Sequence, residues 1–189
     1  KYLAEKYNIE VVEKEMTAEQ SIRANDRDSL YVICAFANTF FQEQLWESEE
    51  GKTIGLSYFK ERGFSEETIK KFQLGYSPKQ KDALSKLAIN SSYKLKYLED
   101  SGLSIVKNDT ALDRFRERMM FPIHSFSGRV LGFGGRTLQK DNKAKYVNSP
   151  ESLIYFKSKI LYGIYSAKQK ISKLNNCYIV EGYTDVISL

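Results

Sequence analysis

The sequence is poor in the residues that build disulfide frameworks and metal clusters, because its 189 residues include two cysteines and one histidine. Cys34 and Cys177 are too few for a disulfide framework or a four-ligand zinc site. His124 has no Cys or His partner and is predicted to be a structural residue rather than a metal ligand. Cys34 falls on the apolar face of a predicted helix, which indicates a core position.

Long apolar runs are also missing. No stretch approaches the roughly 18 apolar residues of a membrane span, so no membrane contact is predicted. Residues 1–15 mix charges with isolated apolar residues, which is not the pattern of a signal peptide. Without an export signal the expected compartment is the cytoplasm, where both cysteines would stay reduced.

Charge is divided unevenly along the chain. The formal net charge is +5, but residues 114–175 contain 13 basic and 3 acidic residues. The rest of the chain contains 16 basic and 21 acidic residues. A local basic excess is what a polyanion-binding surface requires.

The first hundred residues are predicted to be mainly helical. A long helix is expected over residues 20–50, where apolar residues recur on one face, and Gly51 should end it. Thr53 should cap a second helix through Glu61. Further short helices are predicted at residues 65–72, 81–89 and 93–100.

Beyond residue 103 the pattern changes to short strands. The segment 126–128 predicts a hairpin, and the strands are expected at residues 103–107, 119–125, 129–133 and 146–148. A helix at residues 162–174 and a short buried strand at residues 178–181 follow. We therefore predict an α+β fold, in which an N-terminal helical bundle packs with a small, mostly antiparallel sheet before the first strand of an α/β subdomain.

Two basic segments could bind phosphates. If a strand begins at Arg114, then Arg114, Arg116 and Arg118 lie on one face, and guanidinium groups suit phosphate geometry. The alternative is a solvated face beside a hairpin. In residues 145–157, Lys145 and Lys157 alternate with aromatic residues and Asn148, as in surfaces that hold a sugar-phosphate chain and stack a base. The alternative there is a loop whose aromatic residues anchor it to the core.

Two further motifs involve glycine. Gly132, Gly134 and Gly135 do not form a dinucleotide fingerprint, and a close backbone approach or a bulge is the expected use. Glu181 and Asp185 follow the predicted strand at residues 178–181. Two carboxylates at a strand end can bind Mg²⁺ through oxygen, although a helix-capping role for Thr184 or Asp185 is at least as compatible with the spacing.

Taken together and in order, these segments resemble the catalytic core of bacterial DnaG-type DNA primases. The resemblance covers essentially the whole chain and rests on RFRERMMFPI, GRVLGFGGR, KYVNSPE, LYG and VEGYTDV at residues 114–123, 128–136, 145–151, 161–163 and 180–186. The segments at residues 58–64 and 74–76 also fit.

The resemblance implies a DNA-directed RNA polymerase that makes short RNA primers on single-stranded DNA by Mg²⁺- or Mn²⁺-dependent nucleotidyl transfer. Glu181 matches the catalytic glutamate of the TOPRIM subdomain, and Asp185 the following metal-binding carboxylate. The template- and nucleotide-binding ridge of the family matches Arg114, Arg116, Lys145, Asn148 and Lys157, with Tyr183 beside it.

The same resemblance implies the organisation of the protein. The expected division is a linker remnant at residues 1–19, a helical part at 20–102, a basic mixed part of the same subdomain at 103–176, and a truncated TOPRIM start at 177–189. A Zn²⁺ domain and a C-terminal domain that contacts the replicative helicase are expected outside this sequence. The partners implied are single-stranded DNA, ribonucleoside triphosphates and the RNA–DNA hybrid, and the fragment itself is expected to be monomeric and to make no primer.

Two other functions fit parts of the pattern. A non-catalytic single-strand-binding module would share the basic segments but would gain nothing from the two carboxylates beside them. A topoisomerase- or nuclease-like TOPRIM protein would share Glu181 but not the basic motifs that precede it.

Overall fold

A computed structural model of the chain describes residues 6–7, 17–139, 141–142 and 144–189. The predicted linker remnant at residues 1–19 lies outside the described residues, apart from residues 6–7 and 17–19. Helix α1 spans Ala18–Glu47 and starts with a capping box between Thr17 and Gln20. The predicted apolar face is confirmed, and its buried residues include Leu30, Ile33, Cys34, Ala37, Phe40, Phe41 and Leu45.

The end of α1 differs from the prediction. The helix stops at Glu47 because Ser48 is extended, with φ −76° and ψ 153°, and its hydroxyl donates to the Gln44 carbonyl at 2.6 Å. Gly51 instead begins a π-helix, Gly51–Leu56, followed by α2 at Ser57–Glu61. A Cβ at Gly51 would lie 1.9 Å from the Gln44 carbonyl oxygen, so glycine is needed for this close approach.

The remaining N-terminal elements are short. Helix α3 spans Glu66–Lys71 and is capped by Ser65 as predicted, and α4 and α5 span Ala83–Asn90 and Leu95–Asp100. Strands β1 at Gly75–Ser77 and β3 at Thr110–Asp113 were not predicted. Both are too short for a sequence period to be recognised, and their pairing partners lie elsewhere in the chain.

The sheet is antiparallel throughout. Strands β4 (Arg118–His124), β5 (Val130–Thr137) and β6 (Tyr146–Asn148) form, with β1, a four-stranded sheet in the order β1-β4-β5-β6. Strand β2 (Ser104–Lys107) pairs with β3 in a separate two-stranded sheet. The predicted hairpin between β4 and β5 is confirmed. The fold class is therefore the predicted α+β arrangement.

Both faces of the central hairpin are buried. Met120 and Phe133 pack with the apolar face of α1 in one hydrophobic cluster. Met119 and Phe121 pack on the opposite face in a second cluster with Phe59. Burial on both faces explains why β4 is apolar at almost every position instead of alternating.

The C-terminal part contains a 3₁₀ turn at Lys157–Lys159, α6 at Ile164–Leu174 and α7 at Tyr183–Ser188. The strand predicted at residues 178–181 is not formed. Tyr178 and Ile179 are 79% and 91% exposed, and no described strand pairs with them. A strand needs the N–H and C=O groups of a partner, so apolar sequence alone does not produce one. The domain boundaries stay predictions.

Within the described residues, no helix has the length and apolar character to cross a membrane.

Helix α4 is capped from a distant strand. Asp113 in β3 is buried, and its carboxylate accepts from the backbone N–H groups of Leu84 and Ser85 at 2.8 and 3.0 Å. The Ser85 hydroxyl also donates to Asp113. Asp82, at the N-cap position of α4, makes no capping hydrogen bond. The contact between α4 and the β2–β3 ribbon therefore centres on this carboxylate, and a hydrogen bond between the Ser85 and Ser104 hydroxyls adds to it.

We expect Asp113→Ala to lower the free energy of unfolding by about 2–4 kcal/mol, because buried donors at the start of α4 lose their acceptor. Urea unfolding measures this loss. Asp82→Ala is the matched control and should change stability by less than about 0.5 kcal/mol. Equal effects of the two substitutions would contradict the capping role of Asp113.

Candidate functional site

The face of the sheet opposite α1 carries two rows of aligned residues near its β6 edge. Across strands β4, β5 and β6, Phe121 pairs with Gly134, which pairs with Asn148. One step along, Met119 pairs with Arg136, which pairs with Tyr146. Because residues two apart in a strand share a face, both rows lie on the same side of the sheet.

Tyr183 lies over the first row. A Cβ on Gly134 would lie 2.4 Å from a ring carbon of Tyr183, so only glycine leaves room for this ring. The ring stacks on Phe121 with centroids 5.5 Å apart and meets Tyr162 edge-on at 4.5 Å. The expected close-approach role of the glycines in β5 is thereby confirmed.

The hydroxyl of Tyr183 fixes the amide of the next strand. It donates to Oδ1 of Asn148 at 2.8 Å. Burial raises the pKa of Tyr183, and the nearby Tyr155 and Tyr146 hydroxyls raise it further, so the phenol stays protonated and remains a donor. The amide nitrogen of Asn148 is therefore left to donate to a ligand.

A cavity of about 560 Å³ opens beside this stack. Its wall includes five of the residues predicted to act in binding or catalysis, namely Asn148, Lys157, Glu181, Tyr183 and Asp185. The structure thus brings together one cation, one amide and two carboxylates from three separate segments of the chain. Lys157, Glu181 and Asp185 are exposed at its mouth.

The acidic motif does not serve as a helix cap. Helix α7 starts after Gly182 with no side-chain capping hydrogen bond, which argues against the capping alternative for Asp185. The Asp185 carboxylate instead folds over Gly182, where a Cβ would lie 2.7 Å from Oδ2. Both Glu181 and Asp185 belong to the cavity wall.

The arginine cluster is arranged differently from the prediction. Residues 114–117 form a turn, with Glu117 at φ 54°, and β4 begins only at Arg118, so the three arginines do not share a strand face. Arg118 is buried, and its Nη1 donates to the carbonyl groups of Gly135, Ala144 and Lys145. Burial lowers the pKa of Arg118, yet a guanidinium stays charged at neutral pH.

The other predicted cations lie outside the cavity wall. Arg114 is half-buried, and its Nε donates to the Gly102 carbonyl at 2.8 Å. Arg116 is exposed in the turn, and Lys145 is exposed just before β6. These three residues place further positive charge at the surface away from the cavity. Arg118, by contrast, fixes the backbone at Lys145 through its hydrogen bonds to the Ala144 and Lys145 carbonyl groups.

Sequence reasoning missed Arg136. Its Nη1 donates to the Tyr146 hydroxyl at 2.9 Å, and its guanidinium carbon lies 5.3 Å from the ring centroids of both Tyr58 and Tyr146. No carboxylate among the described residues forms an ion pair with it. The sequence did contain one signal for a role of Arg136 at this site. Arg136 lies two residues after Gly134 in β5, and this spacing places both residues on the same face of the strand.

His124 and Cys34 are structural residues, as the sequence predicted. Nε2 of His124 donates to Oε1 of Gln73 at 2.9 Å, and the His124 ring stacks on Tyr165. Cys34 is buried, and desolvation raises the pKa of its thiol to about 12. Neither faces the cavity.

Metal ligands are few in the described part of the chain. It holds no group of three or more His, Cys, Asp or Glu side chains that could surround a metal. Glu181 and Asp185 nevertheless share a cavity wall, and Mg²⁺ is commonly held by one or two carboxylates together with water and substrate phosphate. The two carboxylates fit such a shared site, and they do not fit a structural zinc site.

Comparison with known proteins gives a consistent match. The family model for the DNA primase catalytic core, N-terminal domain, matches residues 40–168. A DNA primase of Halalkalibacterium halodurans is 41% identical over 98% of this chain, which covers 31% of that relative. The chain therefore spans about a third of the length of that curated relative.

Solved structures of DnaG primase domains have a similar fold. A DnaG primase catalytic domain bound to ssDNA has a TM-score of 0.79 and 41% identity, over 87% of this chain and 51% of that one. The zinc-binding and RNA polymerase domains of the Aquifex aeolicus primase give a TM-score of 0.78 and 29% identity, over 98% of this chain and 43% of that one.

The α+β fold and its likeness to these solved structures define a primase-type catalytic core. The chain belongs to the family of the DNA primase catalytic core, N-terminal domain.

We expect Gly134→Ala to lower the free energy of unfolding by about 1–3 kcal/mol, because the new methyl group collides with the packed ring of Tyr183. In a Tyr183→Ala background the same substitution should cost less than about 0.5 kcal/mol, since the collision is gone. Urea unfolding of the four proteins of this double-mutant cycle measures the coupling. Additive effects would show that the ring does not determine the need for glycine.

Proposed function

We propose that this chain is the part of a DNA primase that binds template and nucleotide and supplies the first carboxylates of the active centre. The complete protein would synthesise short RNA primers on single-stranded DNA. The observation that carries the proposal is the single cavity in which Glu181 and Asp185 meet Asn148, Lys157 and Tyr183. Carboxylates and phosphate-binding groups at one cavity are what nucleotidyl transfer requires.

The cations act by neutralising phosphate. Lys157 at the cavity mouth would contact the nucleotide triphosphate, and Arg136 at the β6 edge would contact phosphates alongside. Lys145, Arg114 and Arg116 would continue these contacts along the template. Since such contacts involve the sugar-phosphate chain, binding should tolerate sequence changes and depend strongly on salt.

The polar groups act by orienting the substrates. The hydrogen bond from Tyr183 engages Oδ1 of Asn148 and so leaves its amide nitrogen free to donate to a substrate, and Tyr146, Tyr155 and Tyr162 add aromatic surface to the cavity wall. Holding the primer 3′-hydroxyl in line with the α-phosphate lowers the entropic part of the barrier.

Glu181 and Asp185 would hold Mg²⁺ in part, with other oxygen ligands coming from substrate phosphate, water or protein segments outside this chain. When bound, Mg²⁺ supplies charge neutralisation at the phosphoryl group that is transferred.

Family membership supports a proposal for the partners and the compartment of the complete protein. The single-stranded DNA template is supported by the solved DnaG catalytic domain bound to ssDNA, and a separate Zn²⁺ domain by the zinc-binding domain of the Aquifex aeolicus primase. Ribonucleoside triphosphates, the RNA–DNA hybrid and the replicative helicase are the other proposed partners, in the cytoplasm. The 189 residues alone should be monomeric and make no primer.

A non-catalytic single-strand-binding module is the second candidate. The described residues contain no complete metal-binding group, which is what such a module would show. The placement of both carboxylates beside Lys157 and Asn148 at one cavity favours catalysis, because acidic groups there would only weaken binding of a polyanion.

We expect Lys145→Ala to weaken binding of a single-stranded oligonucleotide and to reduce the slope of log K against log salt by about 0.7, the value for one phosphate contact on a single strand. Fluorescence anisotropy from low to moderate salt measures both quantities, and Arg116→Ala should behave alike. Lys86→Ala removes an equally exposed lysine from α4 and should leave the slope unchanged. Unchanged slopes in the first two variants would remove these residues from the interface.

In the complete protein, Glu181→Gln should reduce primer synthesis at least about 100-fold, because the amide cannot neutralise a bound cation. Stability and single-strand binding should be preserved, since the Glu181 side chain is exposed. Glu151→Gln, an exposed carboxylate outside the cavity wall, is the control and should retain full synthesis. Retained synthesis in Glu181→Gln would exclude this residue from the mechanism.

A further inference from the structure

Two arginines share one tyrosine ring beside the proposed site. The guanidinium carbon of Arg136 lies 5.3 Å from the ring centroid of Tyr58, and that of Arg62 lies 5.4 Å from the same centroid. Tyr146 contacts Arg136 at 5.3 Å and accepts its hydrogen bond at 2.9 Å. We refer to Tyr58, Arg62, Arg136 and Tyr146 as the arginine–tyrosine cluster.

The cluster carries positive charge that the described residues do not compensate. None of the ion pairs among them includes Arg62 or Arg136, although other surface cations in the chain do find carboxylates. Two guanidinium groups near one ring repel each other, whereas the negative face of an aromatic ring attracts both. An anion bound at this place would complete the charge balance.

The ring of Tyr58 is a fixed part of the core. Tyr58 is 7% exposed and meets Phe59 edge-on, with centroids 5.4 Å apart, in the same hydrophobic cluster as Met119 and Phe121. By contrast, Arg136 lies on β5 opposite Tyr146, which lines the cavity. Tyr58 thus packs in the hydrophobic core while its ring contacts Arg136, whose strand neighbour Tyr146 lines the cavity.

The Tyr58 hydroxyl does not explain the residue. It is buried and has no hydrogen-bond partner among the described residues, and the same holds for Nε of Arg136. Arg136 approaches this hydroxyl closely enough to lower the pKa of Tyr58, against the larger upward effect of burial, but no hydrogen bond of ordinary geometry joins the two groups. A buried hydroxyl without such a bond lowers stability, so the hydroxyl is a weaker reason for tyrosine at this position than the ring. The ring face, which two cations contact, does give a reason.

We propose that Tyr58 is a positioning residue for phosphate binding, whose ring holds Arg136 in place beside the cavity-lining Tyr146, with Arg62 on the same ring. The inference rests on the proposed function, because it assumes that a nucleic-acid or nucleotide phosphate is the anion. Arg136 keeps Nη1 on Tyr146, and no described residue accepts from its Nη2, so that edge of the guanidinium is available to a phosphate oxygen.

The test separates the ring from the hydroxyl. In the complete protein, Tyr58→Leu should weaken single-stranded oligonucleotide binding about tenfold and reduce its salt slope, because the guanidinium groups lose the ring that orients them. Tyr58→Phe keeps the ring and should bind within about twofold of the unchanged protein. Its melting temperature should be equal or higher, since the unsatisfied hydroxyl is gone.

Loss of binding in Tyr58→Phe would overturn the assignment to the ring, and so would an unchanged salt slope in a folded Tyr58→Leu protein. If Tyr58→Leu does not fold, Tyr58→Met, whose unbranched side chain adapts better to an irregular gap in the core, takes its place. Tyr31→Leu is the matched control. It breaks an equivalent stack, in which the Arg129 guanidinium carbon lies 3.5 Å from the Tyr31 ring centroid, and should leave binding unchanged.

Arg136→Gln distinguishes this inference from the proposed function. If Arg136→Gln weakens binding and Tyr58→Leu does not, the positioning role of Tyr58 is wrong while the phosphate surface stands. If Arg136→Gln also leaves binding and its salt slope unchanged, the phosphate surface at this edge fails together with the role of Tyr58.

Discussion

Burial of the β4–β5 hairpin on both faces is the constraint from which the site geometry follows. Helix α1 covers one face, and an aromatic cluster built around Phe59 and Phe121 covers the other. Removing this much apolar surface from water makes the hairpin a rigid support. Gly134 and Arg136 therefore have fixed positions on β5. Strand β6 pairs with β5 in a defined register, which places Asn148 opposite Gly134 and Tyr146 opposite Arg136.

The same constraint divides the cations into two kinds. Arg118 begins β4 and is buried, where it binds three carbonyl groups and holds the loop that leads to β6. Arg116 and Lys145 lie at the surface, where their charge is available to a ligand. A buried charge must have partners, whereas an exposed one is stabilised by water until a phosphate replaces that water. Basic residues that are close in sequence therefore differ in role.

Aromatic rings link the core to the chemistry. Tyr183 stacks on Phe121 and fixes Asn148 through its hydroxyl, and Tyr58 packs in the same cluster beneath Arg136. Each ring has one side in the apolar interior and the other next to a polar group of the site. Tyrosine suits this boundary because its body is apolar and its tip is polar. The preorganisation of the site is in this sense a consequence of core packing.

The sequence by itself determined the class of the fold, the long helix α1, the hairpin and the family, because these depend on local period, turn residues and ordered motifs. It also identified five residues that the cavity gathers. Only the tertiary structure decided that residues 114–117 form a turn, that Arg118 is structural and that no strand in the described part of the chain pairs with residues 178–181. It also revealed Arg136 and Tyr58, whose roles depend on contacts between residues far apart in the chain. Burial, strand pairing and ring stacking are long-range interactions, and no local pattern encodes which partner each residue will meet.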